Sequence, residues 1–137
     1  MASGDTFNPT RPVSVLIVDD ELMMRKILRL IMHEMGFNVD AEASSGHAVM
    51  PIINEQQPDL VLLDINLPGT DGLDLLRRIT AEHSYIKVVM ISSEASQDKV
   101  KEAIDHGAAD FIAKPFHPDA VMNKLQRFIA KEDPEFV

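Results

Sequence analysis

Short apolar runs that each stop at one polar residue constrain the fold of this chain most strongly. They are VSVLIV before Asp19, DLVLL before Asp64, IKVVMI before Ser92 and DFIA before Lys114. Continuous runs of β-branched and aliphatic residues are typical of strands that are covered on both faces, as in parallel sheets. Because the carboxyl ends of parallel strands meet at one edge, the sequence predicts that these four polar residues share a crevice.

Helix-like stretches separate the apolar runs, so strand and helix alternate five times. In the clearest one, apolar residues recur at i, i+3, i+4, i+7, i+8 and i+11 from Met24 to Met35, which predicts an amphipathic helix. The other predicted helices are 46–55, 72–82, 97–105 and one that begins near Pro118, and the predicted strands are 13–18, 38–43, 59–63, 86–91 and 109–113. This alternation predicts a three-layer α/β sandwich, a doubly wound (βα)5 parallel sheet with strand order 2-1-3-4-5.

Each predicted helix carries apolar residues that we expect to face the sheet. They are Met24, Ile27, Leu28, Ile31, Met32 and Met35 in the first helix, Val49, Ile52 and Ile53 in the second, Leu73, Leu76 and Ile79 in the third, Val100, Ala103 and Ile104 in the fourth, and Val121, Leu125, Phe128 and Ile129 in the last. The fourth helix has the weakest anchors, so we expect it to move most easily. Pro51 predicts a kink or a late start of the second helix, and the turn-rich segment INLPGTDG predicts a loop.

Composition restricts the partners and the compartment. The 137 residues fit one domain, with 1–11 as a flexible leader, 12–132 as the folded domain and 133–137 as a tail or the start of a linker. A net charge of −9 argues against non-specific binding to nucleic acid. Without cysteine, disulfides and thiolate zinc sites are excluded. No apolar run is long enough for a membrane span or a signal peptide, so we expect a cytoplasmic location.

The predicted crevice contains three carboxylates, which points to a metal ion. Asp19 and Asp20 would lie beside Asp64, and carboxylates this close cannot all stay ionised without a cation among them. Mg²⁺ prefers oxygen ligands, so the crevice is a candidate Mg²⁺ and phosphoryl site, with a hydroxyl from Ser92 and an ammonium from Lys114. Taken singly, Asp19-Asp20 is equally a solvated loop pair or a helix N-cap, and Asp64 is equally a turn cap.

Four motifs, taken together and in order, resemble a bacterial response-regulator receiver domain over residues 13–131. They are VLIVDDE, PDLVLLDINLPGTDGLDLL, MISSEAS and DFIAKPF. In detail they are most similar to single-domain, chemotaxis-type (CheY-like) regulators of two-component systems, which share Met24-Arg25 after the acidic pair. The resemblance implies a flavodoxin-like fold and a phosphorylation-activated signalling switch, which is not an enzyme beyond transferring and hydrolysing its own phosphoryl group.

The resemblance also implies a role for each site residue. Asp64 is the phosphoacceptor, and Lys114 and Ser92 bind the phosphoryl group. The site for Mg²⁺, for which Mn²⁺ could substitute, consists of Asp20, Asp64 and the backbone carbonyl of Asn66 as direct ligands, with Asp19 acting through a water. Asn66 and Glu94 position a hydrolytic water, so we expect a short-lived phosphoryl state. The Lys114–Pro115 peptide bond is cis in this family.

The implied switch moves the Ser92 hydroxyl towards the phosphoryl group and rotates Phe111 inward. The partner surface is then the fourth helix, the fifth strand and the fifth helix, with Lys99, Phe111, Lys124 and Arg127 as contacts. The implied partners are a sensor histidine kinase or histidine phosphotransfer protein and a downstream protein target, with no direct nucleic acid and no membrane insertion. We expect a monomer, and dimerisation on phosphorylation stays open.

Three other functions compete with that of a complete switch. A Mg²⁺-dependent phosphatase of the haloacid dehalogenase type needs an Asp-x-Asp pair on the first strand and usually a cap domain, whereas Asp64-x-Asn66 follows the third strand here and leaves no room for a cap. A pseudo-receiver would act as an interaction module only, which the full set of site residues argues against. A receiver fragment of a larger regulator with an effector domain stays open, because fold and site do not encode the output.

Overall fold

The computed structural model describes residues 11–130, so the predicted leader, apart from Arg11, and the predicted tail lie outside the described residues. The strands of the main sheet are β1 Ser14–Val18, β2 Asn38–Ala43, β3 Leu60–Asp64, β4 Lys87–Ser92 and β5 Asp110–Ala113. The helices are α1 Leu22–Glu34, α2 Val49–Gln56, α3 Gly72–Glu82, α4 Gln97–Asp105, α5 Pro118–Leu125 and α6 Arg127–Ala130. All neighbouring strands are parallel in the order β2-β1-β3-β4-β5, which confirms the predicted topology.

Two hydrophobic cores, one on each face of the sheet, hold the three layers together. Successive residues of β1 point to opposite faces of the sheet and so belong to different cores. Leu16 lies in the core that contains residues of α2, α3 and α4. Ile17 lies in the core that contains residues of α1, α5 and α6. Burying a side chain of this size contributes about 1.5–3 kcal/mol. Strand β3 is buried at every position, as its run of aliphatic residues predicts for a central strand.

Three residues that were predicted to be buried are exposed. They are Ile27, Ile104 and Ile129, with exposed fractions of 37%, 45% and 41%. Each is adjacent to a buried residue of the same helix, namely Leu28, Ala103 and Phe128. Because neighbouring side chains point about 100° apart around a helix, the narrow contact with the sheet accommodates only one of each pair.

The turn-rich segment after β3 is not the loop that was predicted. Asn66–Leu67 and Thr70–Asp71 form a short antiparallel hairpin around Pro68-Gly69, and Gly69 has φ +70°. Proline followed by a residue with positive φ is the pattern of a type II turn, which the sequence does contain. The prediction for Pro51 is confirmed, because a 3-10 turn at Gly46–Ala48 precedes the regular helix α2.

An ion-pair cluster lies at the edge strand β2. The carboxylate of Glu42 accepts hydrogen bonds from Arg25 Nε at 3.0 Å and from Arg29 Nε at 2.6 Å. Burial acts to raise the pKa of Glu42, but the two guanidinium groups outweigh it and hold the pKa below its ordinary value. The charged carboxylate therefore stabilises the fold above its unfolded pKa, and this contribution is lost as the pH falls through the lowered folded pKa.

We expect Glu42→Gln to lower the free energy of unfolding at pH 7 by about 1 kcal/mol. The difference from the wild type should shrink below about pH 4, where the wild-type carboxylate becomes protonated as well. Urea unfolding of both proteins at pH 7 and below about pH 4 measures this difference in the free energy of unfolding. Glu34→Gln, on the exposed face of α1, is the control. A difference that stays the same at both pH values would show that the ion pairs do not cause it.

Candidate functional site

The ends of four parallel strands bring the predicted site residues to one edge of the sheet. Asp19 follows β1, Asp64 ends β3, Ser92 ends β4 and Lys114 follows β5. The Nζ atom of Lys114 lies 2.9 Å from Oδ2 of Asp19 and 3.4 Å from Oδ2 of Asp64. One ammonium group therefore bridges two carboxylates from neighbouring strands.

The three carboxylates form one cluster, in which oxygens of Asp19, Asp20 and Asp64 lie within 4.8 Å of one another. Asp19 and Asp64 are buried, and Asp20 is exposed at the rim. Asp19 is thus not a solvated loop residue, and Glu21 rather than Asp19 or Asp20 occupies the N-cap position of α1. The backbone N–H groups of Glu21 and Asn66 donate to Oδ1 of Asp19 and of Asp64, at 2.8 and 3.1 Å. Asp64 therefore caps a turn with one oxygen while its other oxygen faces Lys114.

Burial and charge shift the pKa values in the crevice. Burial is the main cause that raises the pKa of Asp64, and the negative charge of Asp19 adds to it, while the Asn66 N–H group and Lys114 offset part of the rise. Burial alone would lower the pKa of Lys114, but its contacts with Asp19 and Asp64 raise it above its ordinary value. Lys114 is therefore charged at neutral pH, and its single charge does not fully compensate the carboxylates.

The chemistry of this cluster fits Mg²⁺. Its side chains offer hard carboxylate oxygens, which Mg²⁺ prefers, and its three carboxylates have only the ammonium group of Lys114 as a nearby cation to balance them. Asp19, Asp20 and Asp64 would hold the ion. The role of the Asn66 carbonyl as a fourth ligand stays a prediction.

The remaining crevice residues lie around this cluster. Ser92 is fully buried, and its Oγ atom accepts a hydrogen bond from the Glu94 N–H group at 2.9 Å. The backbone N–H group of Lys114 donates to the Ser92 carbonyl at 2.9 Å, and the Lys114–Pro115 bond is cis. Asn66 and Glu94 are exposed and line one cavity of about 430 Å³. The structure therefore brings together both side chains that were predicted to position a water.

The prediction that Phe111 lies on the partner surface is wrong for this conformation. Its side chain is only 6% exposed and packs into one of the two cores, since phenylalanine has no polar atom that must reach water. Lys99 is half-buried, and Lys124 and Arg127 are exposed. Both Lys124 and Arg127 pair with Asp110, at 3.3 and 3.7 Å. Lys124 lies on α5 and Arg127 on α6, where the sequence predicted a single fifth helix. Their role as partner contacts stays a prediction.

Arg25 makes a contact to the acidic loop that no sequence pattern predicted. Its Nη1 atom donates to the backbone carbonyl of Asp19 at 2.7 Å. The sequence had singled out Arg25 only as part of the Met24-Arg25 pair after the acidic residues, with no contact assigned to it. Among residues 11–130, no helix is long and apolar enough to cross a membrane.

Comparison with known proteins agrees with the fold and the crevice. The profile of the response regulator receiver domain matches residues 15–126. Chemotaxis protein CheY of Listeria monocytogenes is 41% identical over 115 residues, which cover 84% of this chain and 97% of that protein. CheY of Bacillus subtilis is 38% identical over 113 residues, which cover 82% of this chain and 94% of that protein.

A solved structure is similar over nearly the same extent. The CheX–CheY–BeF3–Mg²⁺ complex from Borrelia burgdorferi contains a chain that is 35% identical, with a TM-score of 0.79, covering 85% of this chain and 90% of that one. The profile match and the relatives span most of the chain, and the residues matched by the profile include the strand ends that form the crevice. The chain therefore belongs to the response regulator receiver domain family.

Proposed function

We propose that this protein is a phosphorylation-activated response regulator that accepts a phosphoryl group on Asp64 from a phosphohistidine. The donor is a sensor histidine kinase or a histidine phosphotransfer protein. The observation that carries the proposal is the ammonium group of Lys114, which lies 2.9 Å from Asp19 and 3.4 Å from Asp64 in a buried crevice. Such an arrangement neutralises negative charge where a phosphoryl group would arrive.

The transfer exchanges one bond to phosphorus for another. A carboxylate oxygen of Asp64 attacks the phosphorus atom, the bond from the donor histidine nitrogen breaks, and an acyl phosphate forms. Lys114 neutralises an oxygen of the transferring group, and the hydroxyl group of Ser92 donates a hydrogen bond to another oxygen. When bound, Mg²⁺ neutralises further negative charge on the same group. Asp64 must be ionised to attack, and a cation beside it favours the ionised form.

The phosphoryl group then acts as a switch. Ser92 moves towards it, and Phe111 and the adjacent helix α4 adjust, since Ala103 is the only fully buried side chain of α4. The surface formed by α4, β5, α5 and the start of α6, with Lys99, Lys124 and Arg127, binds a downstream protein target. Asn66 and Glu94 position a water that hydrolyses the acyl phosphate, which gives a short lifetime. We propose a cytoplasmic monomer that does not bind nucleic acid.

Intact mass spectrometry tests the phosphoacceptor. After incubation with Mg²⁺ and acetyl phosphate, we expect the wild type to gain one phosphoryl group and Asp64→Asn to gain none. Asp74→Asn, which removes an exposed carboxylate on α3, is the matched control and should be labelled like the wild type. Labelling of Asp64→Asn would refute the assignment, and a wild type that binds Mg²⁺ without being labelled would indicate a pseudo-receiver.

Mg²⁺ is expected to raise the stability of the protein. At a concentration 100 times the dissociation constant, a ligand that binds only the folded state adds about 2.7 kcal/mol. Asp20→Asn should remove most of this gain, because it takes one ligand from the cluster at its exposed rim without disturbing the core. Thermal unfolding with and without Mg²⁺ or Mn²⁺ measures the effect, again with Asp74→Asn as the control. An equal gain in Asp20→Asn would contradict the assignment of this ligand.

A further inference from the structure

Arg25 connects the acidic loop to the edge strand of the sheet. Its Nη1 atom donates to the Asp19 carbonyl at 2.7 Å, and its Nε atom donates to Glu42 on β2 at 3.0 Å. The Arg25 side chain is only 14% exposed, although it lies close to the start of α1. The planar guanidinium group holds both acceptors in a fixed geometry, which a lysine ammonium group cannot reproduce.

These contacts complete the fixation of Asp19. Its N–H group donates to the carbonyl of Ala43 at 3.0 Å, and its two carboxylate oxygens accept from Glu21 and Lys114. Ala43 is the neighbour of Glu42, so Arg25 and the Asp19 N–H group tie the loop to the same end of β2. The backbone of Asp19 is therefore held on both its N–H and its C=O side.

The contacts that hold Asp19 oppose electrostatic repulsion within the crevice. Without a metal ion, Lys114 offsets only part of the repulsion among the carboxylates of Asp19, Asp20 and Asp64, and the remainder tends to push the loop at 19–21 away from β3. Arg25 contacts the main chain of Asp19, so it opposes this displacement through geometry. The positive charge of Arg25 by itself would weaken Mg²⁺ binding, because like charges repel. The charge and the contact with Asp19 therefore have opposite effects on Mg²⁺ affinity.

We propose that Arg25 is a positioning residue, which holds the Asp19–Asp20 loop in the arrangement that binds Mg²⁺. The inference rests on the proposed function, because Mg²⁺ is the ion that the phosphoryl transfer uses. Residues that orient metal ligands typically change metal affinity about 10–100-fold when they are replaced. Glu42 takes part as the acceptor that fixes the second edge of the guanidinium group.

Calorimetric titration of the unphosphorylated protein with Mg²⁺ tests the proposal. We expect Arg25→Met and Arg25→Lys to bind Mg²⁺ about tenfold more weakly than the wild type. Arg29→Met is the matched control, because Arg29 pairs with the same Glu42 but lies outside the contact with Asp19, so its affinity should equal that of the wild type. Arg25→Lys keeps the charge and most of the aliphatic stem, so it serves if Arg25→Met does not fold.

A second readout needs no metal. Hydrogen exchange at the amide of Glu21, which is bonded to Asp19 Oδ1, should be faster in metal-free Arg25→Lys than in Arg29→Met. The proposal would be overturned if Arg25→Met bound Mg²⁺ as tightly as the wild type or more tightly, and Arg25→Lys bound it like the wild type. Arg25 would then affect Mg²⁺ binding at most through its charge. A wild type that neither binds Mg²⁺ nor is labelled by acetyl phosphate would overturn the proposed function itself.

Discussion

Replacing Lys114 with methionine is expected to lower the free energy of unfolding at neutral pH by about 3 kcal/mol in the absence of metal. The substitution keeps most of the side-chain volume and removes the ammonium group that bridges Asp19 and Asp64. Two buried carboxylates then face each other without their cation, and removing one partner of a buried ion pair typically costs several kcal/mol. Phosphoryl uptake should be strongly reduced at the same time.

The pH dependence identifies the cause of this loss. The pKa of Lys114 is raised, so its stabilising contribution is fully present at neutral pH and disappears only as the pH rises through the raised value. The pKa of Asp64 is also raised, so its ionisation destabilises the fold above that pKa, and this penalty disappears as the pH falls. Because protonated carboxylates no longer need a cation, the difference between Lys114→Met and the wild type should shrink in acid.

Urea unfolding of the metal-free proteins at pH 7 and at about pH 4 measures the difference, since carboxylates protonate in this range. Lys101→Met is the matched control, because Lys101 pairs with Asp105 on the surface of α4 and is 76% exposed. Surface pairs of this kind contribute little, so the control should change hardly at all. If both lysine variants lost the same stability, the buried position of Lys114 would not be the reason.

The substitution Gly72→Ala is expected to lower the free energy of unfolding by about 3 kcal/mol. A Cβ atom at Gly72 would lie 2.6 Å from the Cα atom and the carbonyl oxygen of Ile65. These are backbone atoms that no rotamer change can move aside, and the Gly72 N–H group also donates to the same carbonyl at 3.1 Å. Helix α3 or the segment next to Asp64 must therefore shift, so labelling by acetyl phosphate should slow as well.

Gly36→Ala is the appropriate comparison for Gly72→Ala. Gly36 has φ +79°, and a Cβ atom at this position would meet nothing within 4 Å, so only backbone strain of about 1–2 kcal/mol opposes this substitution. Thermal unfolding and the rate of phosphoryl labelling compare the two variants. A Gly72→Ala protein that is as stable as Gly36→Ala and is labelled at the wild-type rate would contradict the close approach.

The strand ends were predictable from the sequence, and the reason is local. A buried strand of a parallel sheet needs apolar residues on both faces, so the first polar residue after such a run marks its end. This is why Asp19, Asp64 and Lys114 could be assigned to one edge without any knowledge of contacts. The alternation of strands and helices predicted a doubly wound parallel sheet, and the order of the strands was the one that such a sheet of five strands favours.

Features that depend on how layers meet were not predictable. Ile27 and Leu28 have similar hydrophobicity, and only the narrow contact between α1 and the sheet decides that Leu28 is the buried one. The hairpin around Gly69 pairs only two residues on each side, which is too short to give an alternating pattern. The link from Arg25 to Asp19 and Glu42 needs α1 and β2 to be in place first.

The separation of the two hydrophobic cores by the sheet has a consequence for how this chain can diverge. Residues of α2, α3 and α4 share one core, and residues of α1, α5 and α6 share the other. Effects of substitutions on stability add when the sites share no neighbours. One helix layer can therefore accumulate changes that fit a new binding partner while the opposite layer keeps its packing. The polar residues at the edge of the sheet depend on the packing of both layers.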